Sequence, residues 1–149
     1  MAEEIIEPNQ PDSGKTVLVV EDDNNFVRII NAKLGKNGIK TLVSSTASGG
    51  LQMLEQNKVD LIWLDHYLVG EQTGYDFVAA VKKDKRFNRI PIFLVTNYDD
   101  YGNTVVFLER LTTEEKPKTY LEYGIDKYFV KSNTSLDTII LEIRKKLGL

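Results

Sequence analysis

Short apolar runs alternate along the chain with longer stretches whose apolar residues recur at helical spacing. Thr16-Val17-Leu18-Val19-Val20, Ile39 to Val43, Asp60 to Leu64, Ile90 to Val95 and Tyr128-Phe129-Val130 form the runs. Short apolar runs bounded by polar residues read as strands buried on both faces, inside a parallel sheet that helices cover. Between them, Phe26, Ile29, Ile30 and Leu34 mark one helix, with Gly35 and Gly38 bracketing its end. Leu51 and Leu54 mark a second, capped from Ser44-Ser45-Thr46, and Phe77, Val78 and Val81 a third, beyond a loop marked by Gly70 and Gly74. Leu136, Ile139, Ile140, Ile143 and Leu147, after Ser135, repeat as one face of a final amphipathic helix. Pro91 stands at the start of its strand, where a missing N–H does least harm.

Strands alternating with helices, each crossover long enough for a right-handed βαβ unit, predict an α/β three-layer sandwich. The expected sheet has five parallel strands in the order 2-1-3-4-5, the flavodoxin-like arrangement. The segment between the fourth and fifth strands, from Thr96 to Lys131, is enlarged. There Val105, Val106, Leu108 and Leu111 predict one helix, Thr112 to Lys118 a break at Pro117, and Tyr120-Leu121 a short helix closed by Gly124. The helix carries more apolar surface than a solvated loop requires, so it is expected to pack on the domain or on a partner.

Composition narrows the function. At 149 residues one domain with a full core is expected, residues 15–149, behind a flexible polar arm of residues 1–14 that carries Pro8 and Pro11. Nineteen basic against 22 acidic side chains leave a net charge of −3, and no basic cluster suggests direct DNA binding. With no Cys and one His, any metal must be held by oxygen. The acidic N-terminus is not a signal peptide, and no apolar run approaches the roughly 18 residues of a membrane span. A cytoplasmic location is the expectation, with no membrane contact. Gly14-Lys15-Thr16 resembles the end of a phosphate-binding loop, but a strand follows it rather than precedes it.

The chemistry collects at the strands' C-terminal ends. Glu21 and Asp22 follow the first strand and Asp65 the third, Thr96 ends the fourth, and Lys131 follows the fifth. In the expected strand order these share one sheet edge, with Asp22 and Asp65 facing each other at the topological switch point. Paired carboxylates suit a hard cation, and Mg²⁺ in particular, which leaves coordination positions for phosphate oxygens. Lys131 and Thr96 would add a positive charge and a hydroxyl. The constellation suits a phosphoryl group, with the Asp65 carboxylate as nucleophile.

Val19-Val20-Glu21-Asp22, Asp65, Val95-Thr96 and Tyr128-Phe129-Val130-Lys131, in this order and spacing, resemble a CheY-like receiver domain of the two-component response regulators over roughly residues 15–149. The resemblance implies that Asp65 accepts a phosphoryl group from a phosphohistidine on a histidine kinase or histidine phosphotransfer protein. It implies Mg²⁺ bound by Asp22, Asp65 and the Tyr67 main-chain carbonyl, with Glu21 reaching it through water. It also implies a switch in which Thr96 moves toward the phosphoryl group and the Tyr128 ring turns inward. The only catalysis expected is of the chain's own phosphorylation and dephosphorylation. With no effector domain after the last helix, a stand-alone receiver acting on an unknown downstream protein is expected.

The chain departs from the family at Val69 and Ser132, where receivers commonly carry Pro, and at Asn97, where a smaller residue is usual. Tyr67 and Tyr98, each two residues beyond a site residue, flank the family's path for hydrolytic water and are positioned to slow dephosphorylation. His66, the only His, belongs to a loop rather than to the helix face a relay histidine needs. A haloacid-dehalogenase-like phosphatase would need a second Asp at position 67, which is Tyr. The alternative function is a receiver-like interaction module that signals without phosphate. Its mark would be a lost acceptor, metal acid or Lys, and none is lost.

Overall fold

A computed structural model describes residues 9–96 and 123–149. The enlarged segment expected between the last two strands lies almost wholly outside these residues. Within them the elements run β1 (Thr16–Val20), α1 (Asn24–Lys36), β2 (Lys40–Ser44), α2 (Ala47–Gln56), β3 (Leu61–Leu64), α3 (Gly74–Lys83), β4 (Ile92–Thr96), β5 (Lys127–Val130) and α4 (Leu136–Leu147). The five strands form one parallel sheet in the order β2-β1-β3-β4-β5.

Alternation along each strand divides the core in two. Leu18, Val20, Ile62, Leu64, Ile92 and Leu94 point to one face, where they meet Leu54 of α2 and Phe77, Val78 and Val81 of α3. Val17, Val19, Leu61, Trp63, Phe93 and Val95 point to the other, against Ile30 and Leu34 of α1 and Ile139, Ile140 and Ile143 of α4. Because both faces are covered, the strands read as unbroken apolar runs rather than alternating ones. The final helix has the expected buried face and begins at a Ser135 cap whose hydroxyl accepts from Thr138 N.

Several boundaries differ from the sequence reading. Gly35 lies inside α1, and the helix ends on Asn37, with Gly38 at φ 71° beyond it. Ile39 donates back to Leu34 O at 3.0 Å, which closes the helix, so β2 starts one residue later. β4 starts at Ile92 because Ile90 donates to Phe87 O at 3.0 Å; Pro91 still accepts from Ile62 N at 2.9 Å. Asp60 precedes β3 and clasps the first residue of β1, accepting from Thr16 N at 2.8 Å and donating to Thr16 O at 2.8 Å. Asp126 does the same for Ile92 at the start of β4. The arm's later residues run against the end of α1: Gln10 donates to Lys36 O at 2.8 Å and Ser13 N to Gly38 O at 2.9 Å.

α2 lies close over β1 and α3 because Gly50 has no side chain. A Cβ there would meet Phe77 Cε2 at 2.8 Å and Val20 Cγ2 at 3.2 Å. Overpacking costs about 1–3 kcal/mol, whereas Gly to Ala in a helix gains about 1 kcal/mol. Gly50→Ala is therefore expected to lower stability by about 1 kcal/mol. Urea melts check this, and a raised midpoint would mean that the Phe77 ring yields freely.

Candidate functional site

The register of β1 against β3 pairs Val20 with Leu64, so the residues just beyond both strands leave the sheet together. Asp65 N donates to Val20 O and Glu21 N to Ser44 O, each at 2.9 Å, extending the ladders by one residue. On the other side β4 and β5 pair Thr96 with Val130, and Lys131 N donates to Thr96 O at 2.6 Å. Glu21, Asp65 and Thr96 are buried polar residues, and Asp22 is exposed.

Glu21, Asp22 and Asp65 each bring a carboxylate oxygen within 4.8 Å of the others. The Lys131 ammonium donates to both oxygens of Glu21, at 3.0 and 3.1 Å, and stands 3.6 Å from Asp65 Oδ2. One ammonium faces three carboxylates at this edge, among the described residues. The Glu21 pKa is pushed up to about 7, first by burial and then by repulsion from Asp65. Lys131 opposes that rise without cancelling it. An all-oxygen donor set of three clustered carboxylates fits a hard divalent cation of the Mg²⁺ type. Thr96 Oγ1 is buried with no hydrogen-bond partner among the described residues. A buried orphan hydroxyl is costly in a resting protein, and here it sits at the ligand-binding edge of the sheet.

Of the three acids in sequence, the last is the helix cap. Asp23 Oδ1 accepts from Asn25 N and Phe26 N, each at 3.1 Å, and its φ and ψ of −78° and 103° are those of an N-cap. Asp22 thus stays with the acidic cluster. Two further features escaped the sequence reading: the Glu21–Lys131 pair and the Phe26 ring, whose centroid lies 4.8 Å from Lys131 Nζ. A signal for Phe26 was present, since Asp23 followed three residues later by an aromatic fixes a ring on the first turn of α1.

The remaining candidates lie around this centre. Tyr67 is exposed, its ring edge-on to His66 at 4.7 Å. Tyr128 is half-buried on β5, paired with Leu94 and packed on the core beneath α2 and α3. At Val69 the departure has a local reason. Its N–H donates to Ser45 O at 3.2 Å, tying the loop after β3 to the loop after β2, and Pro has no such donor. Asn97 and Tyr98 lie outside the described residues. No helix among the described residues is long and apolar enough to cross a membrane.

The sheet order and its acidic edge agree with what known proteins show. The response regulator receiver domain family matches residues 17–144, and the chain belongs to that family. It is similar to the heme response regulator HssR of Staphylococcus saprophyticus, 27% identical over 116 residues that cover 78% of this chain and 44% of that protein. It is also similar to the chemotaxis protein CheY1 of Helicobacter pylori, 26% identical over 121 residues that cover 79% of this chain and 86% of that protein. The chain thus spans less than half of HssR and most of CheY1. In fold it is similar to the receiver domain of a Pseudomonas aeruginosa sensor histidine kinase, described with a magnesium ion coordinated in its active site cleft. The TM-score there is 0.71 at 18% identity, covering 91% of this chain and 98% of that one. A CheY-like receiver domain from Methanospirillum hungatei gives a TM-score of 0.68 at 22% identity, covering 90% of this chain and 94% of that one. The chain is a receiver domain of two-component signalling.

Proposed function

We propose that Asp65 is the phosphoacceptor of this receiver and that Mg²⁺ is held by Asp22, Asp65 and the Tyr67 carbonyl, with Glu21 joined to it through water. The supporting observation is the buried Asp65 grouped with the carboxylates of Glu21 and Asp22, with the Lys131 ammonium 3.6 Å away. When bound, the cation supplies charge neutralisation for the transferring phosphoryl oxygens.

An oxygen of Asp65 forms a bond to phosphorus as the bond from phosphorus to the donor's imidazole nitrogen breaks, and the electron pair of that bond leaves with the imidazole. Lys131, already 3.6 Å from Asp65, is placed to hold a phosphoryl oxygen. Thr96 is placed to donate its hydroxyl to another, and Tyr128 to follow it inward as the switch that alters the surface of β4 and β5. The donor is a histidine kinase or histidine phosphotransfer protein, and the readout is contact with a downstream protein.

The experiment is incubation of the wild-type chain with acetyl phosphate and Mg²⁺, read by intact mass and peptide mapping. One added phosphoryl group at Asp65, removed by hydroxylamine and absent in EDTA, is expected. A group that maps to another residue, or forms equally in EDTA, would refute the assignment.

A further inference from the structure

Lys131 stands in the turn after β5 on a four-carbon stem, and a flexible ammonium gives up much rotamer freedom when fixed at one point. Two carboxylates hold it from one side, Glu21 at 3.0 Å and Asp65 at 3.6 Å. From another side it meets the ring of Phe26, 4.8 Å from centroid to Nζ, within the range where a cation is drawn to an aromatic face. The Lys131 side chain is only 11% exposed, so water screens the contact little.

The ring is itself held. Asp23 caps the backbone N–H of Phe26 at 3.1 Å, and the ring packs at 63° to the buried Trp63, centroids 6.1 Å apart. Trp63 lies on β3, two residues before Asp65, so the support sits on the strand that leads directly into the acceptor. The carboxylates change partners in the proposed reaction, Glu21 toward the metal's water and Asp65 to an acylphosphate. The ring does not, so its attraction for the ammonium is the same before and after transfer.

We propose that Phe26 is a positioning residue for Lys131, its ring face keeping the ammonium between Glu21 and Asp65 so that it meets the incoming phosphoryl group. This rests on the phosphoacceptor reading of Asp65. An aliphatic side chain of similar volume fills the space over Trp63 but offers no negative face, and the ammonium then settles wherever Glu21 draws it.

Two replacements test it: Phe26→Leu, and pentafluorophenylalanine at position 26, which keeps the ring's shape and reverses its quadrupole. Each is expected to slow Mg²⁺-dependent labelling of Asp65 by acetyl phosphate, by about threefold to thirtyfold. Each should also shift the ¹³C and ¹H resonances of the Lys131 ε-methylene, which in the wild-type protein carry the ring current of Phe26. Phe26→Tyr, which keeps the face, should restore both. Because the fluorinated ring preserves packing, the test stands even where Phe26→Leu fails to fold. If the wild-type chain takes no phosphoryl group at Asp65, the phosphoacceptor reading falls and this inference with it. Where the wild-type chain is labelled and the fluorinated protein labels at the same rate with the Lys131 resonances unmoved, the role of Phe26 alone is overturned.

Discussion

Lys131→Ala is expected to slow Mg²⁺-dependent labelling of Asp65 by about two to three orders of magnitude, the usual cost of deleting one preorganised group at a developing charge. The same change is expected to destabilise the fold by about 3 kcal/mol, because it strands two buried carboxylates that shared one ammonium. That figure lies at the lower end for a broken buried pair, since Glu21 has an escape: it can take up a proton. The pH dependence follows from its direction of shift. The folded chain holds a proton on Glu21 that the unfolded chain releases between about pH 4.5 and 7. In that window the group's contribution to stability falls as pH rises. Lys131 lowers the Glu21 pKa, so removing it extends the window upward. The variant's deficit should therefore be small near pH 5, where Glu21 is protonated in the folded state of both proteins, and should widen toward about pH 8. Urea midpoints at the two pH values measure the stability, and intact mass against time measures the rate. Labelling within threefold of the wild-type rate would remove Lys131 from the chemistry.

Asp65→Asn should make the metal-free chain more stable at neutral pH and above, by about 1 kcal/mol. Asp65 and Glu21 bring oxygens within 4.8 Å of each other, a repulsion of about 3 kcal/mol at an effective dielectric of 20. Exposed Asp22 adds less, because water screens it. Against these stands the attraction of Lys131 at 3.6 Å, about 4 to 5 kcal/mol on the same scale. Burial of the Asp65 charge tips the balance toward the neutral amide. As pH falls from about 7 toward 4.5 the advantage should shrink, since protonation of Glu21 relieves the wild-type chain of the same repulsion. Millimolar Mg²⁺ should shrink it as well, because a cation that binds the intact carboxylate set stabilises the wild-type fold by mass action. Urea melts of both proteins, in EDTA and in Mg²⁺, decide it. A mutant less stable than the wild-type chain in EDTA would mean that the three carboxylates do not repel as a cluster.

The apolar runs carried the sheet, because a strand covered on both faces must be apolar at every position, and a carboxylate can follow it only where the sheet ends. That made Asp65 after Leu61–Leu64, Glu21 after Thr16–Val20 and Lys131 after Lys127–Val130 legible as one edge before any coordinates. Boundaries at Ile39, Ile90 and Gly35 were not legible. They depend on single hydrogen bonds, Ile39 to Leu34 and Ile90 to Phe87, that a run of residue types does not encode. Nor did three acids in a row reveal their roles. Asp23 became the helix cap, while buried Glu21 reached across to Lys131, 110 residues away in the chain. Successive side chains at a strand end point to opposite sides, so which acid enters the site follows from the register of β1 on β3. The raised pKa of Glu21 and the ring of Phe26 over Lys131 depend on the same packing. Residue types along the chain determined that acids and a lysine meet at one edge of a parallel sheet. Distances of a few ångströms between residues far apart in sequence decided which of them touch, and only the folded core sets those distances.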